Sequence, residues 1–134
     1  MSDMSNYLEN ALVNAVFRNT AYTSSATVYV ALFTAVTDAE AGTGTEVPNS
    51  NAYARTAVTF GAPTNGVISN SSDCTFPTAS GGNWGTVSHF AIMDSGTYGG
   101  GNALSIIKTV TASKAVNDGD TAKFTTANLT VTFA

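Results

Sequence analysis

Charge is scarce in this chain of 134 residues: five Lys and Arg and nine Asp and Glu supply only 10% of it, against about 25% in an average soluble domain. The net charge is −4, and Arg18, Arg55, Lys108, Lys114 and Lys123 stand singly. Phosphate binding requires clustered Lys and Arg, so nucleic acid is not an expected partner. Long apolar runs are missing too. Nothing approaches the roughly 20 residues of a membrane-spanning helix, and no membrane partner is expected. Cysteine occurs once, at Cys74, which forbids an internal disulfide and fits synthesis in a reducing cytoplasm. The opening Met1-Ser2-Asp3 lacks the basic and apolar regions of a secretory signal. Histidine also occurs once, at His89. One His and one Cys cannot assemble a zinc set, and no cofactor is expected.

Thr, Ser, Asn, Ala and Gly stand where charge is missing. Either hydroxyl-rich sheet faces suffice for solubility, or much of the surface is covered in an assembly, where charge would carry a desolvation cost. The length suits one domain. The expected layout is a single domain over 1–134, with an N-terminal helix at about 6–18 and a β-sandwich at about 26–134.

The helix is marked by Asn6 as N-cap, with Glu9 three residues on to complete a capping box. Tyr7, Leu8, Ala11, Leu12, Ala15 and Val16 fall on one apolar face. Val13 and Phe17 form a second pair at i, i+4, and Asn19-Thr20 is the stop. Thereafter the period changes to two. Residues 27–36 are apolar on both faces, as in a buried central strand that the helix could cover. Residues 38–51 read as a long exposed loop. Tyr53 to Phe60 alternates, short strands follow at Val67–Ser69 and Cys74–Phe76, and Thr86–Asp94 is again apolar on both faces. A flexible glycine-rich loop, 96–102, precedes a strand at Ala103–Val110. Asp118-Gly119 is a turn, and Leu129, Val131 and Phe133 alternate with Thr130 and Thr132. The expected fold class is mainly β: an antiparallel, jelly-roll-like β-sandwich with one N-terminal α-helix. Heptads, which a coiled-coil stalk would show, are absent.

Catalytic chemistry is hard to assemble. His89 could act as base, with Ser88 or Ser95 as nucleophile and Asp94 as orienter. Strand alternation instead points His89 away from Ser88 and Asp94, onto a face with Val87, Ala91 and Met93. Asp118-Gly119-Asp120 and the pair Asp38 and Glu40 fall short of a calcium ligand set. Gly96-Thr97-Tyr98-Gly99-Gly100-Gly101 has neither nucleotide-loop spacing nor a following helix. Asn70-Ser71-Ser72 and Asn128-Leu129-Thr130 match the glycosylation triplet but have no secretory route. Tyr22, Tyr53, Trp84 and Tyr98 could form a sugar-binding platform, although core and turn packing explain them better. No enzymatic activity is expected.

Several ordered segments extend this reading. They run from Asn6-Tyr7-Leu8-Glu9-Asn10-Ala11-Leu12 through Arg18-Asn19-Thr20-Ala21-Tyr22-Thr23 to Ala26-Thr27-Val28-Tyr29-Val30-Ala31-Leu32-Phe33-Thr34. Gly44-Thr45-Glu46-Val47, Tyr53–Pro63, Trp84–Phe90 and Lys114–Asp120 follow. Together they resemble a family of small tailed-bacteriophage virion proteins often labelled tail-fibre proteins. The resemblance implies a non-catalytic structural role in a virion, after synthesis in the host cytoplasm. The compact sandwich and docking helix favour a capsid decoration or cement protein that binds and stabilises the outer shell. The alternative is a tail or tail-fibre-associated component contacting the host surface, and a second alternative is a carbohydrate-binding β-sandwich module. The expected partners are the major capsid protein or tail proteins, with self-association open. The candidate subunit contacts are Val13, Phe17, Tyr22 and Tyr98, with the loops 38–51 and 96–102.

Overall fold

A computed structural model describes residues 2–133. Helix α1 spans Asn6–Phe17. The strands that follow are β1 (Val28–Asp38), β2 (Thr43–Glu46), β3 (Thr56–Val58), β4 (Val67–Ser69), β5 (Cys74–Thr75), β6 (Gly85–Met93), β7 (Lys108–Val116), β8 (Lys123–Phe124) and β9 (Thr130–Thr132). Every pairing between them is antiparallel. The expected mainly β, sandwich-like architecture with one N-terminal helix is what the chain adopts, in an open form.

β1 is the spine of the main sheet. Its β-branched and aromatic residues suit a pleated surface, and Val30, Ala31, Leu32 and Phe33 are all buried. β6 runs beside it, with Val30 opposite Ile92 and Leu32 opposite Phe90. The other flank of β1 is shared: β3 pairs its first half and β2 its second. β7 lies beyond β6 and forms an edge of the sheet. Two short ladders, β4 with β9 and β5 with β8, bring Ile68, Cys74, Phe124 and Val131 onto one face of β1 and β6. There they join Val30, Leu32, Phe90, Ile92, Phe76, Trp84 and Leu129 in the larger core. Ala31, Phe33, Ala91, Met93, Ala103 and Ile107 form a smaller core with the opposite residues of the same strands.

Asn70 shows how the short ladders are held. It is buried, its amide nitrogen donates to the Ser72 and Thr125 carbonyls, and its oxygen accepts from Leu129 N. The glycosylation-like triplet is therefore a structural joint.

Several local expectations change. The N-cap is Ser5, whose hydroxyl accepts from Leu8 N at 3.2 Å. This moves Glu9 out of the position that a capping box requires. Tyr7 and Val16 leave the buried face, which is reduced to buried Leu8 and half-buried Ala11, Leu12 and Ala15. Within 38–51, Thr43–Glu46 forms β2 and Val47 is fully buried. Only Thr56–Val58 of the Tyr53–Phe60 stretch is strand. The strand expected at Ala103–Val110 starts later, at Lys108, and continues to Val116. Ala103 and Ser105 make isolated bridges instead.

A register shift in the β6–β7 pairing lies between Val87, opposite Lys114, and His89, opposite Thr109. This bulge breaks the two-residue alternation. Val87 consequently packs in the larger core with Phe90 and Ile92, on the face opposite to the expected one.

Candidate interaction surface

The segment preceding α1 is tied to the domain by backbone bonds. Asp3 N donates to Thr132 O at 2.7 Å, Ile106 N to Asp3 O at 2.8 Å, Ser5 N to Leu104 O at 3.1 Å and Asn6 N to Glu40 O at 2.9 Å. The Asp3 carboxylate accepts from Lys108 Nζ at 2.7 Å and from Thr132 N at 2.9 Å. The Ser5 hydroxyl, besides capping the helix, donates to the Ala103 carbonyl. The start of α1 is thereby fixed between the C-terminal strand and the 103–106 segment. No Cα of the helix comes within 8 Å of a Cα in any described strand.

The rest of α1 carries an apolar stripe that nothing among the described residues covers. Val13 is 53% exposed, Val16 72% and Phe17 80%. Their spacing of i, i+3 and i+4 puts them side by side. Exposed Glu9 lies four residues before Val13 on the same stripe. The helix ends where Asn19 adopts a positive φ of 53°, which asparagine tolerates better than most residues. Thr20 N then returns to Asn14 O at 3.1 Å.

The four candidate contacts are not gathered in one place. Val13 and Phe17 share the helix stripe. Tyr22 is half-buried in the segment after the helix; burial raises its phenol pKa, helped by Tyr7 and Asp94. Tyr98 stands on the glycine-rich loop, its ring edge-on to Tyr53 at 6.2 Å. Val16, the most exposed of these side chains after Phe17, falls on the inner face by periodicity alone. Its angular distance from Leu8, about 80° around the helix at 3.6 residues per turn, was the available signal.

The loop bearing Tyr98 is firmly held. Arg55 donates to Glu46 through Nε at 3.0 Å and Nη2 at 2.8 Å, and its Nη1 reaches the carbonyls of Ser95 and Gly100 at 3.0 and 2.8 Å. Asp94 accepts from both the backbone and the side-chain nitrogen of Asn102. Burial works against the Arg55 charge, but the hydrogen bonds and charge of Glu46 outweigh it and raise the guanidinium pKa. Tyr53 completes the cluster by donating to Glu46 Oε2 at 2.7 Å and accepting from Leu32 N at 3.0 Å. Leu32 lies where β1 changes partner from β3 to β2, so the phenol fills a gap in the ladder. Burial, first, and the Glu46 bond push the Tyr53 phenol far above its usual range.

The β6 register shift brings Ser88 and His89 together, contrary to expectation: Ser88 Oγ lies 2.7 Å from His89 Nδ1. The same hydroxyl donates to Thr34 O at 3.2 Å. Asp94 is occupied by Asn102, and among the described residues no carboxylate bonds to the imidazole. The pair thus lacks the oriented base of a nucleophilic site. Asp118 and Asp120 accept from Gly81 N and Asn117 N as turn residues. Among the described residues no cluster of His, Cys, Asp and Glu could hold a metal. Tyr53 and Trp84 are buried and pack edge-on at 5.3 Å, inside the core and not on a sugar-binding platform.

One further feature lies along the main sheet's edge strand, β7. Between β7 and residues 120–130 runs an open cleft of about 840 Å³. Leu32, Val87, Phe90 and Val116 form its buried floor, and Val110 and Phe124 are half-buried in its walls.

The structure is thus a β scaffold with an anchored helix whose apolar stripe is exposed. A family model described as Podophage GP4 fiber I protein gp80 matches residues 3–132, and the chain belongs to that family. No curated protein matches it. Family membership makes the protein a structural component of a bacteriophage virion, of the fibre type. It favours the tail-fibre alternative over the capsid decoration expected first from the sequence.

Proposed function

We propose that the protein is a non-enzymatic, tail-fibre-associated component of the phage particle that attaches to neighbouring protein through the outer stripe of α1. The observation that supports this most is the exposure of Val13, Val16 and Phe17 on a helix whose start is anchored. Full burial of an aliphatic or aromatic side chain contributes about 1.5–3 kcal/mol. Three such side chains offset only part of the cost of association, so repeated copies in one assembly supply the remainder. Tyr98, on the loop that Arg55 pins, is a secondary contact. It is the element proposed to face the host surface, and Tyr22 lies at the margin of the helix contact.

The test is particle incorporation. Phage carrying Phe17→Asp are purified and the chain is quantified by mass spectrometry against an invariant virion protein. The reading predicts loss of the chain from particles while the isolated variant still folds. Normal incorporation of Phe17→Asp would overturn the role of the helix.

A further inference from the structure

We infer that the surface receiving the α1 stripe is the cleft between β7 and residues 120–130 on a second copy of this chain. The inference rests on the contact role of α1 proposed above and names its partner.

The two surfaces are complementary in chemistry. The stripe presents three apolar side chains, Val13, Val16 and Phe17, and a single carboxylate, Glu9, on the same side. The cleft has an apolar floor and, on its rim, Lys108, Lys114 and Lys123. Those are three of the five basic residues in a chain of net charge −4. Lys108 is engaged by Asp3, and Lys123 lies 3.8 Å from Asp73 in an exposed pair. Lys114 makes no salt bridge among the described residues and is the nearest match for Glu9.

The cleft also has room for an incoming element. β7 is an edge strand whose residues 111–115 are all exposed, and the register shift opposite Ser88 carries Val110–Ser113 out of regular pairing with β6. The cleft is therefore left without a regularly paired strand along this side, above a floor of core residues. Amphipathic helices bind grooves through apolar anchors spaced i, i+3, i+4 and i+7; Val13, Val16 and Phe17 supply the first three of these, with Glu9 one turn before Val13. A helix held away from its own strands and a cleft left uncovered by its own chain satisfy each other when copies associate. The contact is between different surfaces of the two chains, so it closes into a ring or a reciprocal pair where the rotation between copies allows and otherwise extends as an open filament.

The experiment measures the mass of the purified full chain across a concentration series by analytical ultracentrifugation and native mass spectrometry. Concentration-dependent oligomers are expected. Phe17→Asp and Lys114→Glu should each weaken association at least about tenfold, the effect of losing one anchor residue. Glu9→Lys combined with Lys114→Glu should recover much of the Lys114→Glu loss. Mixing a Phe17→Cys chain with an Ala112→Cys chain under oxidation should give the mixed disulfide in preference to either symmetric one. Native Cys74 is buried and does not compete.

A chain that stays monomeric up to its solubility limit would overturn the self-association. So would predominant Phe17→Cys homodimers, which would place helix against helix. Either result leaves the fibre reading to be judged separately by Phe17→Asp incorporation into particles.

Discussion

The Ser5 hydroxyl joins the helix to the sheet edge: it accepts from Leu8 N at 3.2 Å and donates to the carbonyl of Ala103, 98 residues away. One side chain thus serves as N-cap and tertiary anchor. Ser5→Ala removes both contacts from a buried position. Loss of a cap costs about 0.5–2 kcal/mol, and a buried carbonyl left without its donor adds about 1–3 kcal/mol. Asn6→Ala, at the neighbouring exposed residue, should change stability by less than about 0.5 kcal/mol. Urea unfolding of the two variants checks the assignment, and equal effects would contradict it.

The gap in the β1 ladder yields a second expectation. In Tyr53→Phe the ring is retained but Leu32 N loses its acceptor. The variant should lose about 1–3 kcal/mol, the cost of a buried unsatisfied donor. Retained wild-type stability would show that Leu32 N finds another partner.

Charge removal should have unequal effects at two ion pairs. Arg55 and Glu46 are buried and bonded through two nitrogens, so Arg55→Met strands a carboxylate inside the protein and should cost about 3–5 kcal/mol. It should also free the 95–100 segment to proteolysis, since Arg55 binds the carbonyls of Ser95 and Gly100. Lys123 and Asp73 are both about half exposed at 3.8 Å. Lys123→Ala should cost no more than about 1 kcal/mol.

Alkaline pH should destabilise the fold. Burial pushes the Cys74 thiol from an ordinary value near 9 up to about 11. Between those values the unfolded chain loses a proton that the folded chain keeps. Stability is therefore constant with respect to this group below pH 9 and falls as pH rises to 11, by about 3 kcal/mol for a gap of two units. Tyr53, also raised by burial, extends the decline above pH 10. Cys74→Ala should abolish the part that begins near pH 9, which denaturant titration at several pH values will resolve. An unchanged pH profile in Cys74→Ala would contradict this assignment.

Patterned segments were the most legible in the sequence. α1 was expected at about 6–18 and forms at Asn6–Phe17, and the apolar runs expected at 27–36 and 86–94 form β1 and β6. What escaped depends on tertiary pairing. Thr43–Glu46 has no apolar alternation and becomes a strand because β1 offers it an edge. Lys114–Ala115 is equally nondescript and pairs with β6. The placement of Val87 could not be read from period two, because a bulge opposite β7 resets the alternation. Ser5 and Asn6 are both good caps on composition. Ser5 is the one whose hydroxyl also meets Ala103, a contact that sequence spacing does not reveal. The exposed stripe was half legible, through Val13 and Phe17, whereas Val16 required knowing how far around the helix the scaffold reaches.

The central claim, a fibre component held in the particle by protein contacts, is tested most directly by locating the chain on intact virions. Purified particles are labelled with an antibody against the folded protein and imaged by electron microscopy, with the copy number measured on the same preparation. The account predicts label confined to the tail fibres and few copies per particle. Label distributed over the shell, at tens to hundreds of copies, would contradict it and restore the decoration role.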